Sequence, residues 1–307
     1  MGVLVSLLTA CPGSSLGVQL GAKGIEVWGI LNADPYWIVA IRIAGPGLLI
    51  ASDDHQVLAV LERGEELIPA QGAGYDWMQF VAKALPPAVD YTERLQRALV
   101  IQRVIAAIHK QGHGGALVIG PRSNHDWMNL VDLRFKFDLD DADVIRKRLA
   151  HLEDAQRQLK ESRFGVVDPT AAAPSTASPP ETLVTANQSL LEELLRQIGD
   201  LSAIDGAVVM DEELGILGFG AKLRATAADF QVREIDVLTS ASNDVSCSDL
   251  GGTRHRSAAC LVHQQPETMV FVASQDGRLT LFVWVEDIKN VAAVRRLEHF
   301  ISTSAFR

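Results

Sequence analysis

Cysteine is scarce in this chain: Cys11, Cys247 and Cys260 are the only three among 307 residues. They show no Cys-x-x-Cys spacing and form no even framework, which argues against a structural zinc site and fits a reducing, cytoplasmic compartment. Long apolar runs are missing as well. No stretch approaches the ~18 residues that a bilayer span requires, so no membrane segment is expected. Leu8-Thr9-Ala10-Cys11 has the outline of a lipoprotein cleavage box, but no Lys or Arg precedes it and the apolar segment is too short for an export signal. The other readings of this stretch are a first core segment, or a chain that begins part-way into a longer domain. Positive charge is in deficit, with 28 Lys and Arg against 38 Asp and Glu and a net charge of −10. Such a surface repels phosphate backbones at long range, so no nucleic-acid partner is expected. A small anionic ligand needs only a local basic pocket and stays admissible. No internal repeat is visible.

Hydrophobic residues make up 48% of the chain and charged residues 21%, enough apolar surface to bury a core. From Gly24 to Leu61 the pattern is β. Ile25-Glu26-Val27-Trp28, Tyr36 to Ile41, Leu48-Leu49-Ile50 and Val57-Leu58-Ala59-Val60 are short runs parted by turn clusters, which predicts a small antiparallel meander. Trp28, Trp37 and Trp77 read as its core, and residues 1–85 as a β-rich leader domain. Asp90 is placed to N-cap a helix through Leu95, Leu99, Ile101, Val104, Ile105 and Ile108, with Gly112 beyond its end. Gly115 to Ile119 reads as a buried strand stopped by Gly120-Pro121. Asp141 to Ser162 reads as a charged helix with Leu149, Leu152 and Leu159 on one side. Residues 168–180, rich in Ala, Pro, Ser and Thr, read as a linker or disordered loop. Helices are expected from Ser189 to Ile198, from about Arg254, and from Ile288 to Phe300. Strands are expected at Ala207–Met210, Gly215–Leu217, Met269–Val272 and Leu279–Trp284. This alternation points to an α/β domain over residues 90–307.

Two short segments carry the chemistry. Asp205-Gly206-Ala207 puts a carboxylate on a loop entering a buried strand, followed by a glycine that lets backbone approach a ligand closely. Gly251-Gly252-Thr253-Arg254-His255-Arg256 is a glycine turn running into a helix start, where exposed N–H groups and cationic side chains favour an anion. Phosphoryl chemistry needs that pairing: donors to neutralise phosphates and a carboxylate to place a divalent metal. Other clusters have plainer readings. His109 and His113 sit at a helix end, where the dipole favours a cation. His125-Asp126-Trp127 reads as an exposed loop. Asp138, Asp140, Asp141 and Asp143 lack the glycine and terminal glutamate of an EF-hand and read as an acidic helix start. Cys260 reads as a buried apolar neighbour.

Taken together, Gly115 to Ile119, Asp205-Gly206-Ala207, Gly252 to Ala259 and Ser274-Gln275-Asp276-Gly277 resemble the diadenylate cyclase (DAC) domain of the DisA-type nucleotide-binding family. The resemblance covers roughly residues 91–281, interrupted by an insertion at about 124–183. His113-Gly114-Gly115, the β-rich leader and Ser274-Gln275-Asp276-Gly277 look closer still to its DACNV-like branch, proposed to be sensors. The resemblance implies a mixed β-sheet flanked by helices, on which two ATP condense to cyclic di-AMP and pyrophosphate between two face-to-face protomers of a homo-oligomer. Asp205 would then be the catalytic residue, holding Mg²⁺ or Mn²⁺, with Asp276 a second candidate ligand. Gly206, Ala207, Thr253, Arg254, His255, Arg256 and Ser274 would bind the nucleotide. The active enzymes usually carry Ser-Glu-Glu-Thr-Gly at the last motif, so Gln275 replaces an acidic residue. That departure keeps a second function open: a non-catalytic sensor binding ATP or a cyclic dinucleotide.

Overall fold

The computed structural model describes residues 15–21, 24–31, 40–45, 48–52, 57–62, 65–67, 73–86, 90–137, 142–164, 180–204, 206–237 and 239–301. The candidate cleavage box, the turn at 32–35, Trp37, Asp138, Asp140, Asp141, the catalytic candidate Asp205 and residues 168–179 of the expected linker lie outside them.

The leader is an antiparallel six-stranded sheet built from β1 (Ser15–Gly21), β2 (Gly24–Leu31), β3 (Ala40–Gly45), β4 (Leu48–Ser52), β5 (Val57–Glu62) and β6 (Glu65–Leu67). The order is β2-β1-β3-β4-β5-β6. The meander thus differs in one place from the sequence pattern, because β1, which had no strong strand signal, lies between β2 and β3.

Helices α1 (Ala73–Ala84) and α2 (Tyr91–Lys110) follow. Asp90 caps α2 as its position predicts, accepting a 2.9 Å hydrogen bond from the Thr92 amide through Oδ2. This satisfies one of the N–H groups that a helix start leaves open. Trp77 is buried on α1 and joins the main core rather than a separate leader core. Next come β7 (Gly115–Gly120), a 3-10 turn at Asp126–Leu130, β8 (Val131–Asp132), β9 (Phe135–Lys136), α3 (Val144–Phe164) and α4 (Pro180–Leu201). The chain closes with β10 (Ala207–Asp211), β11 (Ile216–Leu223), β12 (Gln231–Asp236), β13 (Ser242–Ser246), α5 (Thr253–Gln264), β14 (Met269–Ala273), β15 (Leu279–Val285) and β16 (Asn290–Arg295).

The second sheet runs β13-β12-β16-β15-β14-β7-β10-β11-β8, with β9 also on β11. It is mixed: β7–β10 and β12–β16 are parallel, the remaining pairs antiparallel. Strand alternation splits its side chains between two apolar layers. Leu117, Ile119, Val208, Met210, Phe271 and Leu281 face α2 and α4, while Val118, Val209, Val270, Val272 and Phe282 face α5. Both layers are nearly solvent-free, and each such side chain contributes about 1.5–3 kcal/mol by leaving water. The protein is therefore α/β, a large mixed sheet flanked by helices and preceded by a small β-rich unit.

Three expectations are corrected, and strands appear where none was expected. Residues 288–300 do not form the expected α-helix, and Leu297–His299 make a single 3-10 turn. Val291, Ala292, Ala293 and Val294 are wholly buried in β16, between β12 and β15, because a position covered on both faces overrides the helical preference of Ala and Arg. The polar stretch after Ala221 contains β12 and β13. Trp127 is not in an exposed loop: it is fully buried and donates its ring N–H to the Pro121 carbonyl at 3.0 Å. Its indole fills the space over Gly120, where an added Cβ would stand 2.3 Å from Trp127 Cε2. Residues 131–136, inside the expected insertion, pair with β11 and so belong to the main sheet.

Candidate functional site

Gly206-Ala207 and Thr253-Arg254 meet at one end of the central strands of the large sheet. Ala207, the first residue of β10, pairs there with Ala116 of β7, and α5 starts over the same strand ends. Ala116, Ala207, Ala221 and Leu223 form the apolar side of a cavity of about 170 Å³, and Gly206, Lys222, Thr253, Arg254 and Ser257 complete it. Gly206 enters β10 at φ 135°, a conformation that side-chain-bearing residues rarely adopt. It packs against the β11 backbone, where a Cβ would come within 2.5 Å of the Gly220 carbonyl carbon.

Gly252 is the N-cap of α5 and offers no side-chain acceptor to the first amides of the helix. The helix start therefore keeps its partial positive charge beside the cavity, next to the Arg254 guanidinium. Arg254 reaches towards the turn before β7. A Cβ at Gly114 would lie 3.0 Å from Arg254 Nη1 and 3.1 Å from Gln275 Cγ.

Consecutive residues on a helix point about 100° apart, and the Arg-His-Arg run obeys this. Arg254 lines the cavity. His255 turns under the helix and is 8% exposed. Its ring stands edge-on to Phe282, with centroids 5.9 Å apart, and its Nε2 is 3.5 Å from Thr280 Oγ1. Arg256 faces the opposite flank, where its charge, after hydrogen bonds from Ser246 and Ser248, helps to hold the Asp229 carboxyl below its usual range. Ser274 is half-buried at the end of β14, and its amide donates to the Arg278 carbonyl at 2.8 Å. Asp276 is exposed and pairs with Arg278, Oδ2 to Nε 3.3 Å. The cavity thus brings together Gly206, Ala207, Thr253 and Arg254, while His255, Arg256, Ser274 and Asp276 do not line it. Lys222 and Ser257 were not singled out in the sequence. Ser257 lies one helical turn after Thr253, a spacing that puts both on one face, whereas nothing local marks Lys222.

A larger cavity, about 530 Å³, opens on the far flank of the helix start. Its arginines are already paired, Arg295 with Glu234 at 2.6 Å, Arg296 with Asp236 at 3.2 Å and Arg278 with Asp276 at 3.3 Å, so it presents no net cationic wall to an anion.

Burial, and secondarily the nearby Arg295 charge, lower the His255 pKa to about 4, with Asp276 opposing. The folded state therefore binds fewer protons than the unfolded chain between pH 4 and about 6.5. Stability from the neutral ring is full above that window and is lost as pH falls through it, at a cost of about 3 kcal/mol. Urea unfolding of the parent should show this loss between pH 7 and pH 4, and His255→Asn should lack it. Parallel pH profiles for the two proteins would remove His255 as the cause.

Cys260 is buried on α5 and Cys247 in the turn before it, and burial followed by the neighbouring Cys260 pushes the Cys247 thiol up to about 12. They are inert packing groups. Among the described residues, no three His, Cys, Asp or Glu side chains cluster to hold a metal, and no helix is long and apolar enough to cross a membrane. No protein-family model matches the chain, and no curated protein matches it.

Proposed function

We propose that this chain is a nucleotide-binding protein of the diadenylate cyclase type that takes ATP. One observation carries the reading: the glycine-led start of β10 and the open N-terminus of α5, far apart in sequence, line a single cavity with an apolar side and a cationic rim. Its volume is below the roughly 300–1,000 Å³ of a complete small-molecule site. It therefore suits the base of a nucleotide, with the phosphates lying outside against Thr253, Arg254 and the α5 amides. Lys222 adds a second positive charge to that rim. His255 acts from beneath, packing the first turn of α5 onto the sheet.

On this reading two protomers present two ATP molecules to each other, and a ribose 3′-oxygen attacks the α-phosphate of the facing nucleotide with departure of pyrophosphate. Mg²⁺ or Mn²⁺ would be held by Asp205, Asp276 and the phosphates themselves, a donor set typical of nucleotide-bound Mg²⁺. The ion would supply charge neutralisation at the reacting phosphate. Asp276 fits that role in being exposed at the turn and would have to exchange its Arg278 partner for the metal.

Gln275 favours a second reading, a sensor that binds ATP or a cyclic dinucleotide without turnover. Its Cγ and Arg254 Nη1 both approach the point where a Cβ on Gly114 would stand, and where the cyclases usually carry a carboxylate it brings no charge to a metal. Incubation with ATP and Mn²⁺, followed by chromatography of the products, separates the two. A cyclase forms cyclic di-AMP, and Gln275→Glu should raise its rate. If neither protein forms product while both bind ATP, the catalytic reading is lost and the sensor stands. If neither binds ATP, the site assignment is lost as well.

A further inference from the structure

The last turn of α2 is tied to a distant part of the chain. His109 places Nε2 2.7 Å from the carbonyl oxygen of Gly277. A helix C-terminus favours a protonatable ring, and the sequence suggests that His109 caps its own helix. The ring instead reaches the hairpin between β14 and β15.

That hairpin turns through Ser274, Gln275, Asp276 and Gly277. The Gly277 amide donates to the Ser274 carbonyl at 3.1 Å, the Ser274 amide donates to the Arg278 carbonyl at 2.8 Å, and Gly277 has φ 83°. A tight hairpin ending in a left-handed residue has this pattern. Gln275, Asp276 and Gly277 are exposed, so neighbouring side chains do little to immobilise the turn. The end of α2 is firmly placed, because Ile105 and Ile108 are buried in the main core. The His109 contact therefore joins a rigid element to an exposed one.

The turn also abuts the cationic rim. Arg254 Nη1, Gln275 Cγ and the Ala273 carbonyl oxygen all approach the point where a Cβ on Gly114 would stand, at 3.0, 3.1 and 3.3 Å. Only a residue without a side chain lets the three converge, and φ 72° at Gly114 reinforces that requirement. A shift of the hairpin would move Gln275 against Arg254 directly.

We propose that His109 is a positioning residue: by holding the Gly277 carbonyl it sets the Ser274–Gly277 turn against Arg254 and so shapes the phosphate end of the nucleotide site. This rests on the nucleotide-binding reading and adds a residue that touches no ligand itself. A neutral ring with its proton on Nε2 and a protonated ring both donate this bond.

The test uses the full chain and two readouts, binding of ATP and adenosine, and hydrogen exchange at the turn. His109→Ala should weaken ATP binding about fivefold, the effect of one lost hydrogen bond. It should leave adenosine binding unchanged and speed exchange of the Ser274 and Gly277 amides, with β7 and α5 unaffected. His109→Gln keeps a donor of similar reach and should recover most of both effects. Unchanged exchange at the turn, equal weakening for ATP and adenosine, or no recovery in the Gln variant would each overturn the positioning role. A parent chain that fails to bind ATP overturns the site reading and the ligand half of this inference together. Where the parent does bind ATP, exchange at the turn left unchanged by His109→Ala overturns the positioning role alone.

Discussion

Replacing Arg254 by alanine is expected to lower ATP affinity ten- to a hundredfold and to leave adenosine affinity unchanged. Arg254 is exposed at the start of α5 and lines the cavity shared with Gly206 and Ala207. A hydrogen bond between charged groups contributes about 1.5–3 kcal/mol, which sets the size of the effect. Adenosine offers the same base and ribose but no phosphate, so it measures the apolar part of the cavity alone. Arg254→Lys should fall between parent and alanine, because an ammonium keeps the charge but cannot make the paired contacts of a guanidinium. Added salt should narrow the gap between parent and variant, since the site is open to solvent. Isothermal titration at two ionic strengths, with thermal unfolding as the control for folding, gives all of these values. Equal losses for ATP and adenosine would mean that Arg254 shapes the cavity instead of binding phosphate.

Gly206→Ala should destabilise the fold by roughly 2–6 kcal/mol, from two separate penalties. The residue has φ 135°, outside the range that an alanine adopts without strain, and such strain costs about 1–3 kcal/mol. The new methyl would also stand 2.5 Å from the Gly220 carbonyl carbon, 2.7 Å from the Ala221 nitrogen and 2.8 Å from its oxygen. These are backbone atoms of a paired strand and cannot swing aside like a side-chain tip, so overpacking adds about 1–3 kcal/mol. The sum is a large part of the 5–15 kcal/mol typical of a whole domain. Relief by displacement of β11 would move Lys222 and Leu223 out of the cavity wall, so the surviving folded protein should bind ATP poorly. Gly252→Ala is the matched control. No atom stands within 4 Å of its Cβ position, its φ is −65°, and losing glycine at an N-cap costs at most about 1 kcal/mol. A Gly206→Ala protein that unfolds at the parent's urea midpoint would show that the β10–β11 approach is soft.

Local signals settled some elements before any tertiary contact was considered. Asp90, the apolar spacing that follows it and Gly112 define α2 because capping and periodicity act within a few residues. Gly115 to Gly120 is legible for a related reason: a short apolar run stopped by Gly-Pro has few options but a buried strand. The pairing of a glycine-led strand with a glycine-led helix start was also visible, since both are short-range backbone features.

Other outcomes depended on what surrounds a segment. Val291-Ala292-Ala293-Val294 would tolerate a helix in isolation, and only the flanking strands β12 and β15 make it the buried β16. β12 carries Arg233, Glu234 and Asp236 and gives little hydrophobic alternation, because its charged side chains find partners at the end of the neighbouring strand β16, such as Arg295 and Arg296. Trp127 carries no local mark of burial, since it fills space that exists only over Gly120. The same division runs through the site. That Arg254, His255 and Arg256 share a helix start is a property of the sequence. That Arg254 meets the cavity, His255 meets Phe282 and Thr280, and Arg256 meets Asp229 follows from how α5 is rotated on the sheet. Rotation is decided by Ala258, Ala259, Leu261 and Val262 packing onto β14, β15 and β16, contacts between residues that the chain brings together only on folding.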